Sequence, residues 1–362
     1  MADYLPVSIL TGFLGSGKTT LLNALLAHPE LSDSAVLVNE LGEIGLDHHL
    51  VRNSSENMVL LDSGCLCCSV RGDLTDALRE LYFQRVRGTI PEFRRVVIET
   101  TGLADPAPII NLLIDDMLVS EFYRLEGVVT TIDGVHGEDQ LDREFESIKQ
   151  AAMADRLILT KTDMATPATV NNLETRLRAL NPAAAIHHAT LGQADPAWLF
   201  GLGTYRADGK HPDVARWLNA EKYREAHVAL VRPGSGLPPA PDKRHERHDV
   251  RIQSFSVVFD APVDWEGLSA GLEMLLASLG DQLLRVKGLV NVRDDEVPWV
   301  VHGVQHTYYP PQRLDAWPDA DRRTRLVFIG RDLDKGYVAH TLHHFVAEAK
   351  LGKIPAEAGS DA

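Results

Sequence analysis

Residues 7–26 read VSILTGFLGSGKTTLLNALL, and this stretch decides the fold. Residues 7–10 are an apolar run that predicts a buried strand, residues 12–17 are rich in glycine, and the leucines that follow predict a helix. In this order, backbone N–H groups of the loop and the positive end of the helix dipole can converge on phosphate oxygens. Because a chance match rarely has a strand before it and a helix after it, the stretch predicts a phosphate-binding loop for a nucleotide.

The side chains of the loop suit the same chemistry. Lys18 can reach the terminal phosphates and is predicted to be catalytic, while the Thr19 hydroxyl can ligate Mg²⁺. The residues of this loop that we predict to contact the nucleotide are Gly12, Gly15, Ser16, Gly17, Lys18, Thr19 and Thr20.

The composition limits the partners. The chain has 362 residues, which suggests two domains, and its formal charge of −15 argues against nucleic acid or an anionic membrane as the main partner. The first residues have no basic segment followed by a long apolar one, and no run approaches the length of a membrane span. We therefore expect a cytoplasmic protein, and the sequence leaves its oligomeric state open.

Strands and helices alternate along the first part of the chain. Apolar strand patterns end in polar residues at positions 39–40, 62–64, 99–102 and 160–163, and a helix is predicted over residues 72–87. This arrangement predicts an α/β fold, a doubly wound parallel sheet of the P-loop NTPase type with its ligand along the carboxyl edge.

The pattern changes after residue 200. We predict a P-loop domain over residues 1–200, a linker over 201–250 rich in proline and glycine, and a smaller α+β domain over 251–350. Strands at residues 252–259, 298–305 and 325–329 and helices at 265–276 and 334–349 make up this second domain. Residues 351–362 are expected to form a flexible tail.

The segment Thr160-Lys161-Thr162-Asp163 follows a late strand, where a base-reading loop belongs. The Asp163 carboxylate can accept two hydrogen bonds from guanine that adenine cannot donate, and the Lys161 stem can pack along the base. With the phosphate-binding loop as context, Thr160, Lys161 and Asp163 favour GTP over ATP.

Glu99-Thr100-Thr101-Gly102 follows the strand expected to lie beside the phosphate-binding loop. Its carboxylate can hold Mg²⁺ directly or through water, and Gly102 can approach the γ-phosphate. We therefore predict Glu99 as a second catalytic residue and, with Thr19, as a ligand of Mg²⁺.

All three cysteines, Cys65, Cys67 and Cys68, fall within four positions. Three thiols this close together, with none elsewhere, cannot form a disulfide framework and indicate a metal site or a redox centre in a reducing compartment. Zn²⁺ with three protein ligands keeps an open coordination position, which suits a metal that must leave again.

The chain resembles the CobW-like GTPases over nearly its whole length. These are P-loop proteins related to the nickel-insertion GTPases of hydrogenase and urease maturation. The first domain carries the resemblance in residues 7–22, 38–47, 64–68, 99–102 and 160–163, and the second domain is similar to their C-terminal domain in residues 285–288, 302–305 and 328–331.

The resemblance implies a GTP-dependent metallochaperone that binds Zn²⁺ or Co²⁺ at a Cys-x-Cys-Cys element, hydrolyses GTP slowly and transfers the metal to a client metalloprotein. By position, Cys65, Cys67 and Cys68 would be the thiolate ligands, and Glu40 could add an oxygen ligand. Thr160 stands where the family often has asparagine.

Two alternatives remain open. The cysteines could serve a regulatory GTPase as redox sensors, because clustered thiols of low pKa are readily oxidised. The chain could also activate one particular metalloenzyme, such as a nitrile hydratase or an enzyme of the cobalamin pathway.

Overall fold

The computed structural model describes residues 4–31, 33–39, 59–62, 70–190, 195–199 and 252–350. The predicted linker over 201–250 and the predicted tail over 351–362 lie outside these ranges. Among the helices of the described residues, none is long and apolar enough to cross a membrane.

The first sheet consists of parallel strands. Its strands are β1 (Leu5–Gly12), β2 (Ser34–Asn39), β3 (Val59–Asp62), β4 (Arg95–Thr100), β5 (Tyr123–Asp133), β6 (Arg156–Thr160) and β7 (Ala185–Ala189). Within the described residues they form a seven-stranded sheet in the order β3-β2-β4-β1-β5-β6-β7. β1 lies between β4 and β5, so later strands are added on both sides of it, and this change of direction opens a crevice at its carboxyl end.

Helices cover both faces of this sheet. They are α1 (Lys18–Leu26), α2 (Val70–Arg87), α3 (Ala107–Asp115), α4 (Met117–Phe122), α5 (Gly137–Arg143), α6 (Phe145–Met153) and α7 (Pro167–Leu180). Successive strand residues point to opposite faces, so Leu10 packs with the leucines of α1 while Ile9 packs with those of α2, α3 and α7. The predicted doubly wound fold is confirmed.

The second sheet is antiparallel. Its strands are β8 (Ile252–Phe259), β9 (Leu283–Val290), β10 (Trp299–Val304), β11 (Thr307–Tyr308), β12 (Gln312–Arg313) and β13 (Thr324–Arg331), and its helices are α8 (Trp265–Leu279) and α9 (Lys335–Lys350). The strands run in the order β11-β10-β9-β13-β8, with β12 paired to β10. Phe255 and Phe328 point from this sheet toward α8 and α9 and form a core of their own.

The opposite face of the second sheet packs against the first domain. Leu284, Val304 and Ile329 belong to the same buried cluster as the residues of α3, α6 and α7. Removing these side chains from water is worth about 1.5–3 kcal/mol each. The apolar contact therefore joins the two sheets into one packed body.

Four of the described strands were not predicted: β7, β9 and the two-residue strands β11 and β12. β9 carries Arg285 and Lys287 in an otherwise apolar stretch, and these charges conceal a strand that is buried along its whole length. They are tolerated because both pair with the buried Asp155 of the first domain. β7 lies at the edge of the first sheet, and its two histidines, His187 and His188, weaken the apolar pattern.

Candidate nucleotide-binding site

The glycine-rich loop follows β1 and turns into α1 at the carboxyl edge of the sheet. Gly15 and Gly17 have φ of 72° and 89°, a left-handed backbone that glycine adopts without strain. Gly12 has φ of 143°, and a Cβ added there would lie 2.4 Å from the backbone oxygen of Thr131. The loop conformation therefore depends on glycine, as expected where backbone N–H groups converge on a phosphate.

Lys18 and Thr19 open α1. Lys18 is 9% exposed, and its ammonium donates to the carbonyl oxygens of Gly12 at 2.9 Å and Phe13 at 3.3 Å. The Thr19 hydroxyl donates to the carboxylate of Glu99 at 2.7 Å. Since Glu99 is 4% exposed at the end of β4, the fold brings together the two oxygen ligands predicted for Mg²⁺. Hydroxyl and carboxylate oxygens are the donors that this hard cation accepts.

Thr160, at the end of β6, is hydrogen-bonded to the phosphate-binding loop. Its hydroxyl donates to the carbonyl oxygen of Ser16 at 2.7 Å, and the Ser16 hydroxyl lies 2.7 Å from that of Thr131. The threonine that replaces the family's usual asparagine thus makes a direct hydrogen bond to the phosphate-binding loop.

Lys161 ties the predicted base-reading segment to the same loop. It has φ of 55°, and its ammonium donates at 2.7 Å both to the Gly15 carbonyl oxygen and to the carboxylate of Asp133. Burial alone would raise the pKa of Asp133, but hydrogen bonds from Lys161 and from two backbone amides outweigh burial and lower it. Asp133 is therefore an anion that fixes the lysine stem beside the loop.

Asp163 lies two residues further on and is exposed. Its carboxylate has no hydrogen-bond partner among the described residues, so it is available to a base. Thr20 is also exposed, on the first turn of α1, and its side chain makes no hydrogen bond to the described residues of the loop.

Gly102 follows β4 and packs against the phosphate-binding loop. A Cβ at this position would lie 2.6 Å from the backbone nitrogen of Leu14, so only glycine allows this approach. On its other side, the carbonyl oxygen of Gly102 accepts a hydrogen bond from the buried Gln150 of α6. The loop after β4 is thus held between the phosphate-binding loop and α6.

The predicted transition-metal ligands Cys65, Cys67, Cys68 and Glu40 lie outside the described residues. Among the residues that are described, no group of three or more His, Cys, Asp or Glu side chains is arranged to hold a metal ion.

Sequence reasoning missed Asp133, Thr131 and Gln150. Asp133 ends an apolar strand, which is the same signal that singled out Glu99, so the pattern could have found it. Gln150 lies on an apolar face of α6, and only the tertiary structure reveals which loop it contacts.

The comparisons with known proteins agree with this geometry. The model of the CobW/HypB/UreG nucleotide-binding domain matches residues 6–188, and that of the cobalamin synthesis protein CobW C-terminal domain matches residues 252–346. The chain belongs to the CobW/HypB/UreG family. The resemblance seen in the sequence is therefore confirmed.

Relatives of known role lie in the same family. The zinc chaperone YjiA of Escherichia coli is 34% identical over 327 residues, which cover 90% of this chain and 94% of that protein. The zinc chaperone CobW of Pseudomonas aeruginosa is 30% identical over 380 residues, which cover 95% and 92%.

One solved relative covers nearly the whole fold. The crystal structure of Zn(II)-bound YjiA GTPase from E. coli superposes with a TM-score of 0.68 at 28% identity and covers 95% of this chain and 99% of that one. A variant of YjiA in which one glutamate and two cysteines are replaced by alanine was also solved with Zn(II) bound.

Proposed function

We propose that this protein is a GTP-dependent zinc metallochaperone of the cytoplasm that hydrolyses GTP slowly and transfers Zn²⁺ to a client metalloprotein. Two relatives that align with this chain over most of their own length are named zinc chaperones, and one of them, YjiA, is also named a GTPase. The observation that carries the proposal is the order of the strands β3-β2-β4-β1. This order supports a metal site near the nucleotide site, because the proposed metal ligands follow β2 and β3 directly in the sequence.

The positions of four groups at the carboxyl edge of the first sheet support the nucleotide side of the proposal. Lys18 neutralises the terminal phosphates, Asp163 accepts hydrogen bonds from guanine, and Lys161 packs along the base. Thr19 and Glu99, whose side-chain oxygens lie 2.7 Å apart, would hold Mg²⁺. When bound, this ion supplies positive charge to the phosphate oxygens. Gly102 brings its loop to the terminal phosphate, where hydrolysis changes the number of contacts that the loop can make.

The zinc side rests on the register of the strands. Val38 is paired with Asp62, and Asn39 with Thr100, which is the residue after Glu99. Glu40 follows Asn39 directly, and Cys65 comes three residues after Asp62, a reach of at most about 11 Å. With about 4.8 Å between neighbouring strands, the ends of β3 and β1 are about 14 Å apart. This spacing supports Cys65, Cys67, Cys68 and Glu40 as Zn²⁺ ligands close to the nucleotide.

GTP and Zn²⁺ are coupled in this proposal. GTP orders the segment that begins at Glu40 and brings its carboxylate to the thiolates, and hydrolysis releases both the segment and the metal. Co²⁺ can replace Zn²⁺ in such a site, because both ions accept mixed sulfur and oxygen ligands.

The test measures metal affinity in two nucleotide states. Full-length protein is titrated with Co²⁺ in the presence of GDP or of a non-hydrolysable GTP analogue, and sulfur-to-cobalt charge-transfer absorption reports thiolate ligands alone. We expect the analogue to tighten binding by about tenfold or more. Equal affinity in the two states would reject the coupling.

Cys67→Ser and a distant control separate the alternatives. We expect Cys67→Ser to lose the charge-transfer band, whereas Ser120→Ala, on α4, leaves it unchanged. Because the YjiA variant without two cysteines still binds zinc, total zinc content is not a sufficient readout. Thiols that oxidise in peroxide and never give the band would favour the redox-sensing GTPase instead.

A further inference from the structure

Gln150 lies on α6 in a wholly buried position, with 0% exposure. Its amide nitrogen donates to two carbonyl oxygens of the loop after β4, Gly102 at 3.2 Å and Ala104 at 2.9 Å. Because both partners are acceptors, the amide orientation is settled: the nitrogen must face the loop. One side chain thus fixes two peptide groups of the segment that approaches the phosphate-binding loop.

The next residue of that loop is held from the same helix. Asp105 accepts a hydrogen bond from Lys149 at 2.9 Å, and its other oxygen accepts the backbone N–H of Ala107 at 3.0 Å. Gln305, at the turn between β10 and β11 of the second domain, reaches the same carboxylate at 3.5 Å. Residues 102–105 are therefore clamped on the side away from the nucleotide.

The loop after β4 is also closely packed on the side that faces the nucleotide site. Gly102 touches the backbone of Leu14 so closely that no side chain fits between them. A shift of the Gly102 peptide would therefore move directly against the phosphate-binding loop. Displacements of about 1 Å at a reacting centre can reduce a rate about a hundredfold.

The amide oxygen of Gln150 differs from the nitrogen in its surroundings. Its oxygen is buried and has no hydrogen-bond partner among the described residues. An unsatisfied buried acceptor costs about 1–3 kcal/mol. An N–H of the loop that turned toward this oxygen when the loop contacts a γ-phosphate would remove that cost.

We propose that Gln150 is a positioning residue for the hydrolysis of GTP, which sets residues 102–105 for contact with the γ-phosphate. This inference rests on the proposed GTPase function. Gln150 does not touch the nucleotide, and it acts through the two carbonyl groups that it holds. Lys149 and Gln305 complete the clamp at Asp105.

Gln150→Met tests the proposal in the full-length chain, because methionine has similar length and volume but donates no hydrogen bond. We expect the kcat for GTP to fall between about tenfold and a hundredfold, with GDP affinity within about twofold of wild type. We also expect the affinity for a non-hydrolysable GTP analogue to fall relative to that for GDP. Ser147→Ala, on the same helix and also buried, is the matched control and should leave all three quantities unchanged.

Gln150→Glu gives a signature that packing alone cannot produce. A protonated carboxyl group can donate to one loop carbonyl, whereas the carboxylate is repelled by both, and burial raises the pKa of such a group toward neutrality. We expect kcat of this variant, relative to wild type, to fall as the pH rises.

Three results would overturn the proposal. They are a kcat within twofold of wild type in Gln150→Met, a parallel loss of kcat, GDP affinity and Tm, and a pH profile of Gln150→Glu that follows wild type. If the wild type fails to hydrolyse GTP, the proposed function fails instead. The ratio of triphosphate to diphosphate affinity then still decides the role of Gln150.

Discussion

The contact between Lys161 and Asp133 shows how single residues link the base-reading segment to the phosphate-binding loop. Lys161 adopts a left-handed φ of 55°, which is uncommon for a residue with a side chain. Its ammonium is held by Asp133 and by the Gly15 carbonyl oxygen. These two contacts keep the lysine stem in one place, where it can cover one face of a base.

Asp133→Asn isolates the charge in this contact. The amide oxygen can still accept the backbone N–H groups of Val135 and His136, so the turn is retained while the ion pair with Lys161 is lost. We expect a loss of about 1–2 kcal/mol in the free energy of unfolding and about tenfold weaker GDP binding. Calorimetry and fluorescent-nucleotide titration measure the two effects.

Asp139→Asn, on the exposed side of α5, is the control for this prediction and should change stability by less than about 0.5 kcal/mol. Because the pKa of Asp133 is lowered in the folded state, its stabilisation is present above the unfolded value of 3.8 and is lost as the pH falls through the folded pKa. Unchanged nucleotide affinity in Asp133→Asn would contradict the role of the pair.

At the scale of elements, α6 is the helix that supports the loop after β4. It presents Gln150 to the loop after β4, and its last turn is held by Asn181, the residue that follows α7. The Asn181 amide donates to the carbonyl oxygens of Ala151 at 2.9 Å, Ala152 at 3.1 Å and Ala154 at 2.9 Å. Carbonyl groups at the end of a helix have no partner within it, so the buried Asn181 side chain supplies the hydrogen-bond donors that α6 lacks.

Asn181→Ala should therefore destabilise the protein by about 2–4 kcal/mol, because it leaves buried carbonyl groups without a donor. Chemical denaturation measures this loss. Asn172→Ala, exposed in the middle of α7, is the matched control, and the higher helix propensity of alanine should make it neutral or slightly stabilising. Equal effects of the two substitutions would show that the end of α6 does not need this contact.

At the scale of the whole molecule, one buried charge cluster joins the two domains. Asp155, just before β6, pairs with Arg285 and Lys287 of β9, and Arg285 also donates to the Met153 carbonyl oxygen at the end of α6. The carboxylate and the guanidinium are 8% and 9% exposed. Burial would raise the pKa of Asp155, but the two cations lower it far below its usual range.

Asp155→Asn should cost about 3–5 kcal/mol, because it leaves two buried cations without a counter-charge. Glu92→Gln, which removes an exposed partner of Arg85, is the control and should cost less than about 1 kcal/mol. Urea denaturation of both variants measures the difference. A loss for Asp155→Asn as small as that of the control would mean that the cluster does not stabilise the interface.

The same cluster predicts sensitivity to acid. Burial and the two cations lower the pKa of His302 well below its ordinary value of 6.5, so His302 is neutral in the folded protein. Stability should therefore fall as the pH drops below about 6.5, where the unfolded histidine binds a proton, and fall again below 3.8 as unfolded Asp155 does. In Asp155→Asn the second decrease should be smaller.

The sequence by itself determined the elements whose signal is local. The apolar run, glycines and leucines of residues 7–26 specify a strand, a loop that only glycine can form, and a helix. Glu99, Thr160, Lys161 and Asp163 were predicted as site residues because polar side chains that follow apolar strands lie at the carboxyl edge of a parallel sheet, where its ligand binds. The parallel α/β architecture followed from the alternation of these elements.

Only the tertiary structure decided which distant residues meet. Gln150, Asn181 and Asp155 each satisfy groups that lie far away in the chain, so no periodicity or spacing around them reveals their partners. The buried strand β9 was hidden by Arg285 and Lys287, whose charges are acceptable only because the first domain supplies Asp155. The physical reason is that burying a polar group costs free energy unless its partner is present, and that partner is set by the fold.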